Sequence, residues 1–221
     1  MDWTALGLSL RLGVLTVVLL LPVAFLLARS LAYGRFRGRG VVEAVVALPL
    51  ILPPTVVGFY LLSAFGRGSP IGSTFEGLLG HPLVFSFEGL VLASVLVNLP
   101  FAVQPMQNAL AAIPRSVREA ARCCGLSPLA AIRRIELPLA LPGIATAAVL
   151  TFAHTLGEFG VVLMVGGSIP GETRTISIAI YDRVQAFDEP AAATMALVLL
   201  VLAVAALGIS NTLARRAARQ D

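Results

Sequence analysis

The stretch Ile113-Pro-Arg-Ser-Val-Arg-Glu-Ala-Ala-Arg-Cys-Cys-Gly-Leu-Ser-Pro-Leu-Ala-Ala-Ile-Arg-Arg-Ile-Glu-Leu-Pro138 sets helix punctuation and arginines between two long apolar runs. Ser116 and Glu119 stand at capping-box spacing, where each side chain satisfies a free amide at the start of a helix. Gly125 suits the left-handed position that closes a helix. Ser127 before Pro128 offers a second N-cap with proline at the first helical position, and Pro138 can open the apolar run that follows. Segment 113–138 therefore reads as two short helices. Helices this short are marginal alone in water, so they need a surface, either their own neighbouring spans or a partner.

Outward from this segment the chain turns apolar. Of its 221 residues 57% are hydrophobic and 13% charged, with a mean hydropathy of +0.91, values outside the range of ordinary soluble domains. Charge-free runs extend over Leu12 to Ala28, Ala44 to Gly66, Gly89 to Pro114, Leu137 to Gly157 and Pro190 to Ala214. Each is long enough as a helix to cross about 30 Å of hydrocarbon. Backbone polar groups in lipid must be satisfied internally, and the runs lack the alternation of barrel strands. The expectation is an all-α membrane protein, one domain over 1–221, with spans at about 6–30, 43–65, 88–111, 138–163 and 191–213. Met1-Asp2-Trp3 puts no basic segment before the first apolar run, so that run is expected to remain as a span rather than a cleaved signal.

All 16 basic residues are arginines, and their placement predicts orientation. Arg29, Arg35, Arg37 and Arg39 follow the first span, Arg115, Arg118, Arg122, Arg133 and Arg134 follow the third, and Arg215, Arg216 and Arg219 follow the last. Positive loops stay in the cytoplasm, which puts the N-terminus outside and the C-terminus inside. Topology accounts for the pI near 9.8, and no nucleic-acid partner is expected. Cys123 and Cys124 read as small packing residues in a cytoplasmic loop, where structural disulfides are rare.

Glu119-Ala120-Ala121, then Gly125, then Ile135-Glu136-Leu137-Pro138 resembles the EAA loop of ABC-importer permeases. The resemblance implies a five-span type I importer permease core whose loop forms a cytoplasmic coupling helix in a groove of a separate ATPase subunit. It makes Glu119, Ala120, Ala121, Gly125, Leu137 and Pro138 the ATPase-coupling residues. The residue types agree, since alanines permit close approach and Gly125 a sharp turn. A P-loop ATPase needs a lysine to reach the nucleotide phosphates, and the chain has no lysine. ATP and magnesium are therefore expected on the partner ATPase, with no cofactor, metal or covalent chemistry on this chain.

Other features bear on a pathway. Leu48-Pro49-Leu50-Ile51-Leu52-Pro53-Pro54-Thr55 sets three prolines in the second span, which should bend or break it. Pro53, Pro54 and Thr55 are candidate pathway residues, with a plain kink as the other reading. Asn98, Gln104 and Asn108 make the third span unusually polar, and Gln104 and Asn108 share a face. They serve either the pathway or interhelical hydrogen bonds. His154 and Glu158, four residues apart, are too few for a metal, and a proton relay is their alternative use. Beyond them, Ile176, Ile180, Val184 and Phe187 recur at helical spacing, giving a helix with one apolar face at the outer membrane surface.

Leu156-Gly157-Glu158-Phe159-Gly160, Ile169-Pro170-Gly171-Glu172-Thr173-Arg174-Thr175 and the proline string of span two resemble the molybdate permeases, with sulfate and tungstate permeases sharing parts of the pattern. The resemblance implies a molybdate importer permease of the bacterial cytoplasmic (inner) membrane, with sulfate or tungstate as alternative substrates. An external oxyanion-binding protein would dock near Glu158, Glu172, Thr173 and Arg174. One EAA loop per chain, where the family's assembly needs two, implies a homodimer on two ABC ATPase subunits within the lipid bilayer. The rival mechanism is a proton-coupled secondary transporter relaying through His154 and Glu158. A membrane scaffold would explain the spans but not the EAA spacing.

Overall fold

The computed structural model describes residues 1–217; Arg219 lies outside the described residues. Helix α1 runs over Trp3–Tyr33, opened by Asp2, whose carboxylate accepts the Ala5 N–H at 2.9 Å. Along it Leu12, Thr16, Leu20, Ala24 and Ala28 are buried, while Val14, Val18, Val23 and Leu26 are exposed. One face thus meets the bundle and the other offers an apolar surface outward, as a helix in lipid requires.

The second span breaks where its prolines fall. Helix α2 covers Arg39–Ile51 and α3 covers Pro54–Phe65, with 113° between them. Leu52 and Pro53 between them are extended (ψ 141° and 137°), because a residue before proline is pushed out of the helical region and proline donates no amide. The outer connection folds into α4 (Pro70–Leu79), started by Ser69, whose hydroxyl accepts the Gly72 N–H at 2.8 Å, and closed by Gly80 at φ 77°. The third span is also two helices rather than one, α5 (Phe87–Val97) and α6 (Leu99–Ala112), meeting at 41° around Asn98. Pro100 follows two residues on and has no amide to continue the ladder.

Helix α7 spans Arg115–Cys123. Then α8 (Pro128–Ala131), a π-helical turn over Ile132–Glu136 and α9 (Leu137–Gly157) form one unbroken rod of 30 residues. Two sequence expectations change here. Pro138 does not open a span, because the wide turn before it sends the Leu137 N–H to the Ile132 carbonyl and carries the helix through. Nor does the fourth span reach residue 163. It stops at Gly157, where Glu158 turns extended and its carboxylate accepts the Val161 N–H at 2.9 Å, starting α10 (Gly160–Gly166). Helices α11 (Ile176–Gln185) and α12 (Glu189–Ala217) complete the chain.

Helix α6 is central, packed on α1 and α9, with α12 covering α9, α10 resting on α3 and α5, and α11 on α12. Leu20, Ala24, Met106, Leu110, Ala140 and Ala147 fill the α1–α6–α9 junction. Gly143 lets α6 and α9 approach closely, since a Cβ there would stand 2.4 Å from Ala109 Cβ and 2.7 Å from the Pro105 carbonyl oxygen. On α12, Leu197, Leu200, Val201 and Val204 face outward. Among the described residues three helices are long and apolar enough to cross a membrane, and counting each bent pair as one span gives up to five crossings.

The expected apolar stripe of α11 is only half buried. Ile176 is enclosed and Ile180 packs beside α12, but Val184 is 54% exposed, and Phe187 falls beyond the end of α11, at φ 57° and 91% exposed. The helix instead seats Ile178 and Ala179 beside Ile176, because it lies between α1 and α12 rather than on a single surface.

Candidate functional site

At the α7 end, the expected capping box is absent. The helix begins two residues earlier than such a box requires, at Arg115 with Pro114 before it, so Ser116 lies inside the first turn and Glu119 pairs with Arg115 at 2.6 Å across one turn. The far end of α7 closes as the sequence predicts: Gly125 takes φ 75°, its N–H donates to the Arg122 carbonyl, and the Leu126 N–H donates to the Ala121 carbonyl. This paired closure satisfies carbonyls the helix would otherwise strand. The Ser127 hydroxyl accepts the Ala130 N–H at 3.3 Å and opens α8.

The coupling residues divide by face. Glu119, Ala120 and Gly125 are exposed, as is Pro138 on the rod that follows. Ala121 is 5% exposed and turned inward, and Leu137 is half-buried against the α1–α6–α9 core. A short amphipathic helix has only one free side, and here the other side is occupied by the bundle.

What holds α7 in place was not singled out from sequence. Arg29 on α1 donates from Nε to Glu136 Oε2 at 2.6 Å and from Nη2 to Oε1 at 3.1 Å. Arg118 of α7 lies over the Tyr33 ring at 3.9 Å, and the Tyr33 hydroxyl donates to the Leu110 carbonyl at 2.8 Å. These groups line a cavity of about 430 Å³ with Arg122, Ala121 and Ile135. The forked arginine–carboxylate pair joins α1 to the π-helical turn, and the stacked guanidinium joins α7 to α1. The available signal was Glu136, a single acid among arginines at a span boundary.

The candidate pathway residues also divide. Pro53, Pro54 and Thr55 are exposed at the break in the second span, and a Cβ on Gly160 would lie 2.8 Å from Pro54 Cβ. The proline string and the Leu156–Gly160 string, far apart in sequence, therefore meet. Gln104 and Asn108 lie exposed on α6, whereas Gln107 donates to Glu43 at 3.1 Å. Asn98 is fully buried and donates to the Ser94 carbonyl and to Thr155 Oγ1, so it ties helices together rather than lining an open route.

At the opposite end, two candidate docking residues are enclosed. Glu158 is 8% exposed and Thr173 is fully buried, its hydroxyl accepting the Ile169 N–H at 3.1 Å. Arg174 pairs with Asp182 at 3.0 Å and approaches Asp2 at 3.8 Å, fastening the loop to α11 and to the start of α1. Glu172 is exposed and borders a cleft of about 790 Å³ with Arg11, Arg67, His81 and Glu88.

Comparison with known proteins follows this division of parts. The family model described as the binding-protein-dependent transport system inner membrane component matches residues 21–219. Over 187 residues, 85% of this chain and 83% of the relative, the chain is 51% identical to the molybdenum transport system permease protein ModB of Azotobacter vinelandii. Over 215 residues it is 39% identical to the protein of that name from Escherichia coli (strain K12), covering 97% of this chain and 94% of the relative. A chain of the bacterial ABC transporter involved in the import of the acidic polysaccharide alginate shares the fold, with a TM-score of 0.75, 96% of this chain and 78% of that one covered, and 21% identity.

Proposed function

The chain belongs to the family of binding-protein-dependent transport system inner membrane components, and from that premise we propose that it is the permease subunit of an ATP-driven molybdate importer. It is an all-α permease with the type I importer fold, a transport subunit rather than an enzyme, and a multi-pass protein of the inner membrane. The observation that carries the coupling role is the split face of α7, with Glu119 and Ala120 outward over a foundation of Arg29, Tyr33 and Glu136. The substrate reading rests on likeness to relatives named for molybdenum over most of both chains. Sulfate and tungstate remain the alternatives.

Two copies pair around a central route. In a membrane-spanning chain, exposed Gln104 and Asn108 must face protein or water rather than hydrocarbon, and a second copy supplies both. Two ABC ATPase subunits, which bind ATP and magnesium, sit beneath against α7; the arginine-rich loops support a reading with that side in the cytoplasm and the N-terminus outside. An external oxyanion-binding protein docks at the opposite end, where Glu172 and the rim of its cleft are accessible. ATP binding closes the ATPase pair and draws the two α7 helices together. The foundation of α7 passes this movement to α1, α6 and α9, and the route opens outward.

The test is uptake of labelled molybdate into vesicles containing this chain with its ATPase and binding protein, with and without ATP and with excess sulfate. Uptake that needs ATP and survives sulfate is the expected result. Loss to sulfate transfers the substrate to sulfate, and indifference to ATP overturns the importer.

A further inference from the structure

We propose that the cavity enclosed by α7, the end of α1 and the π-helical turn is a binding site for a phosphate group. Such a site is independent of which anion the chain carries across the membrane. Three guanidiniums, those of Arg29, Arg118 and Arg122, line the cavity of about 430 Å³, and Glu136 is the sole acid among its described lining residues. Arg29 occupies both oxygens of that carboxylate, from Nε at 2.6 Å and from Nη2 at 3.1 Å. The other two arginines are left uncompensated: neither forms an ion pair among the described residues.

The two faces of α7 differ in this respect. On the outward face Arg115 and Glu119, four residues apart, pair at 2.6 Å. Toward the cavity the same spacing sets Arg118 beside Arg122, a like-charge arrangement that by itself weakens a helix. Arg118 is held over the Tyr33 ring at 3.9 Å, and its buried Nε has no acceptor. The ring is fixed in turn, since its hydroxyl donates to the Leu110 carbonyl at 2.8 Å. Water can hydrate the free edges of these guanidiniums but carries no charge, so the positive excess persists in a concavity whose low-dielectric walls focus the field. An anion between Arg118 and Arg122 turns their repulsion into a shared attraction, and guanidinium forks match the oxygens of phosphate.

Position narrows the source of that phosphate. Arg29 is the first charge after the charge-free run Leu12 to Ala28, and Glu136 is the last before the run Leu137 to Gly157. The cavity therefore lies where hydrocarbon gives way to headgroups. Phe36, 44% exposed, lines it as well, and aromatic side chains favour that boundary. The volume falls within the range of organic-ligand sites, about 300–1,000 Å³, and exceeds what one inorganic ion fills. The phosphate of an anionic lipid meets these conditions, and basic pockets between spans hold such headgroups. Free phosphate offers the same chemistry from the aqueous side.

The full chain in a nonionic detergent is followed by native mass spectrometry as phosphatidylglycerol is added, and by thermal unfolding in sodium phosphate against sodium chloride of equal ionic strength. Arg122→Gln removes an exposed arginine of the cavity, and Arg133→Gln removes the same charge from an exposed position outside it. The expected result is a set of phosphatidylglycerol adducts whose apparent affinity falls about fivefold in Arg122→Gln and holds in Arg133→Gln. Stabilisation by phosphate but not chloride, lost in Arg122→Gln and seen without lipid adducts, supports the site with free phosphate as its occupant. Binding of neither probe, or an affinity that Arg122→Gln weakens no more than Arg133→Gln does, overturns the proposal.

Discussion

Arg29 on α1 and Glu136 in the π-helical turn, 107 positions apart, form a forked ion pair with contacts of 2.6 and 3.1 Å. It joins the first span to the root of the segment carrying α7. The carboxylate side chain is 5% exposed and the arginine 34%, so water screens one partner and scarcely reaches the other.

Glu136→Ala should therefore leave a half-buried guanidinium without its partner and cost about 1–3 kcal/mol, less than a fully enclosed pair would lose. Thermal unfolding in detergent measures it. Arg29→Lys should destabilise as well, because an ammonium cannot reproduce the fork. The double change Arg29→Ala with Glu136→Ala should cost less than the sum of the single changes; simple additivity would show that the pair carries no coupling.

Glu119→Arg tests the outward face of α7. Glu119 is exposed and, among the described residues, pairs only with its neighbour Arg115, so membrane level and melting temperature should stay near those of the parent. Like-charge contact across a docking surface disfavours association, and ATP-driven uptake should fall more than about tenfold. Normal uptake would remove α7 from the coupling contact.

Gly143→Val places a branched side chain where even a Cβ would lie 2.4 Å from Ala109 Cβ. Overpacking of this kind costs about 1–3 kcal/mol. Gly7→Ala is the control, since nothing lies within 4 Å of a Cβ there, and its melting temperature should hold or rise.

Gly125→Ala puts a side chain at φ 75°, a conformation that costs an L-residue about 1–2 kcal/mol. The penalty is local to the closure of α7. Amide hydrogen exchange should quicken across Arg115–Cys123 while α1 and α9 stay protected; a uniform change over all three would show that the closure is not a separate unit.

Much of this protein was legible from its residues alone. Hydropathy located the apolar runs, and the chemistry of proline marked the break at Pro53–Pro54, because both depend on local properties of the chain. Gly125 and Ser127 announced their roles for the same reason: a left-handed turn and an N-cap are decided within a few residues. Ser116 with Glu119 had an equally local signature, yet Arg115 offered Glu119 a charged partner one turn away, and the box did not form.

Burial and partnership are properties of the packed bundle. Periodicity did not reveal that Ala121 turns inward and Leu137 is half-buried, that Glu158 and Thr173 are enclosed, or that Asn98 spends its amide on Thr155. The meeting of Pro54 with Gly160 and of Arg29 with Glu136 brings together segments distant in sequence. Local pattern specifies which stretches become helices and where they stop; which face each helix buries, and which distant charge completes it, is decided only when the helices compete for the same interior.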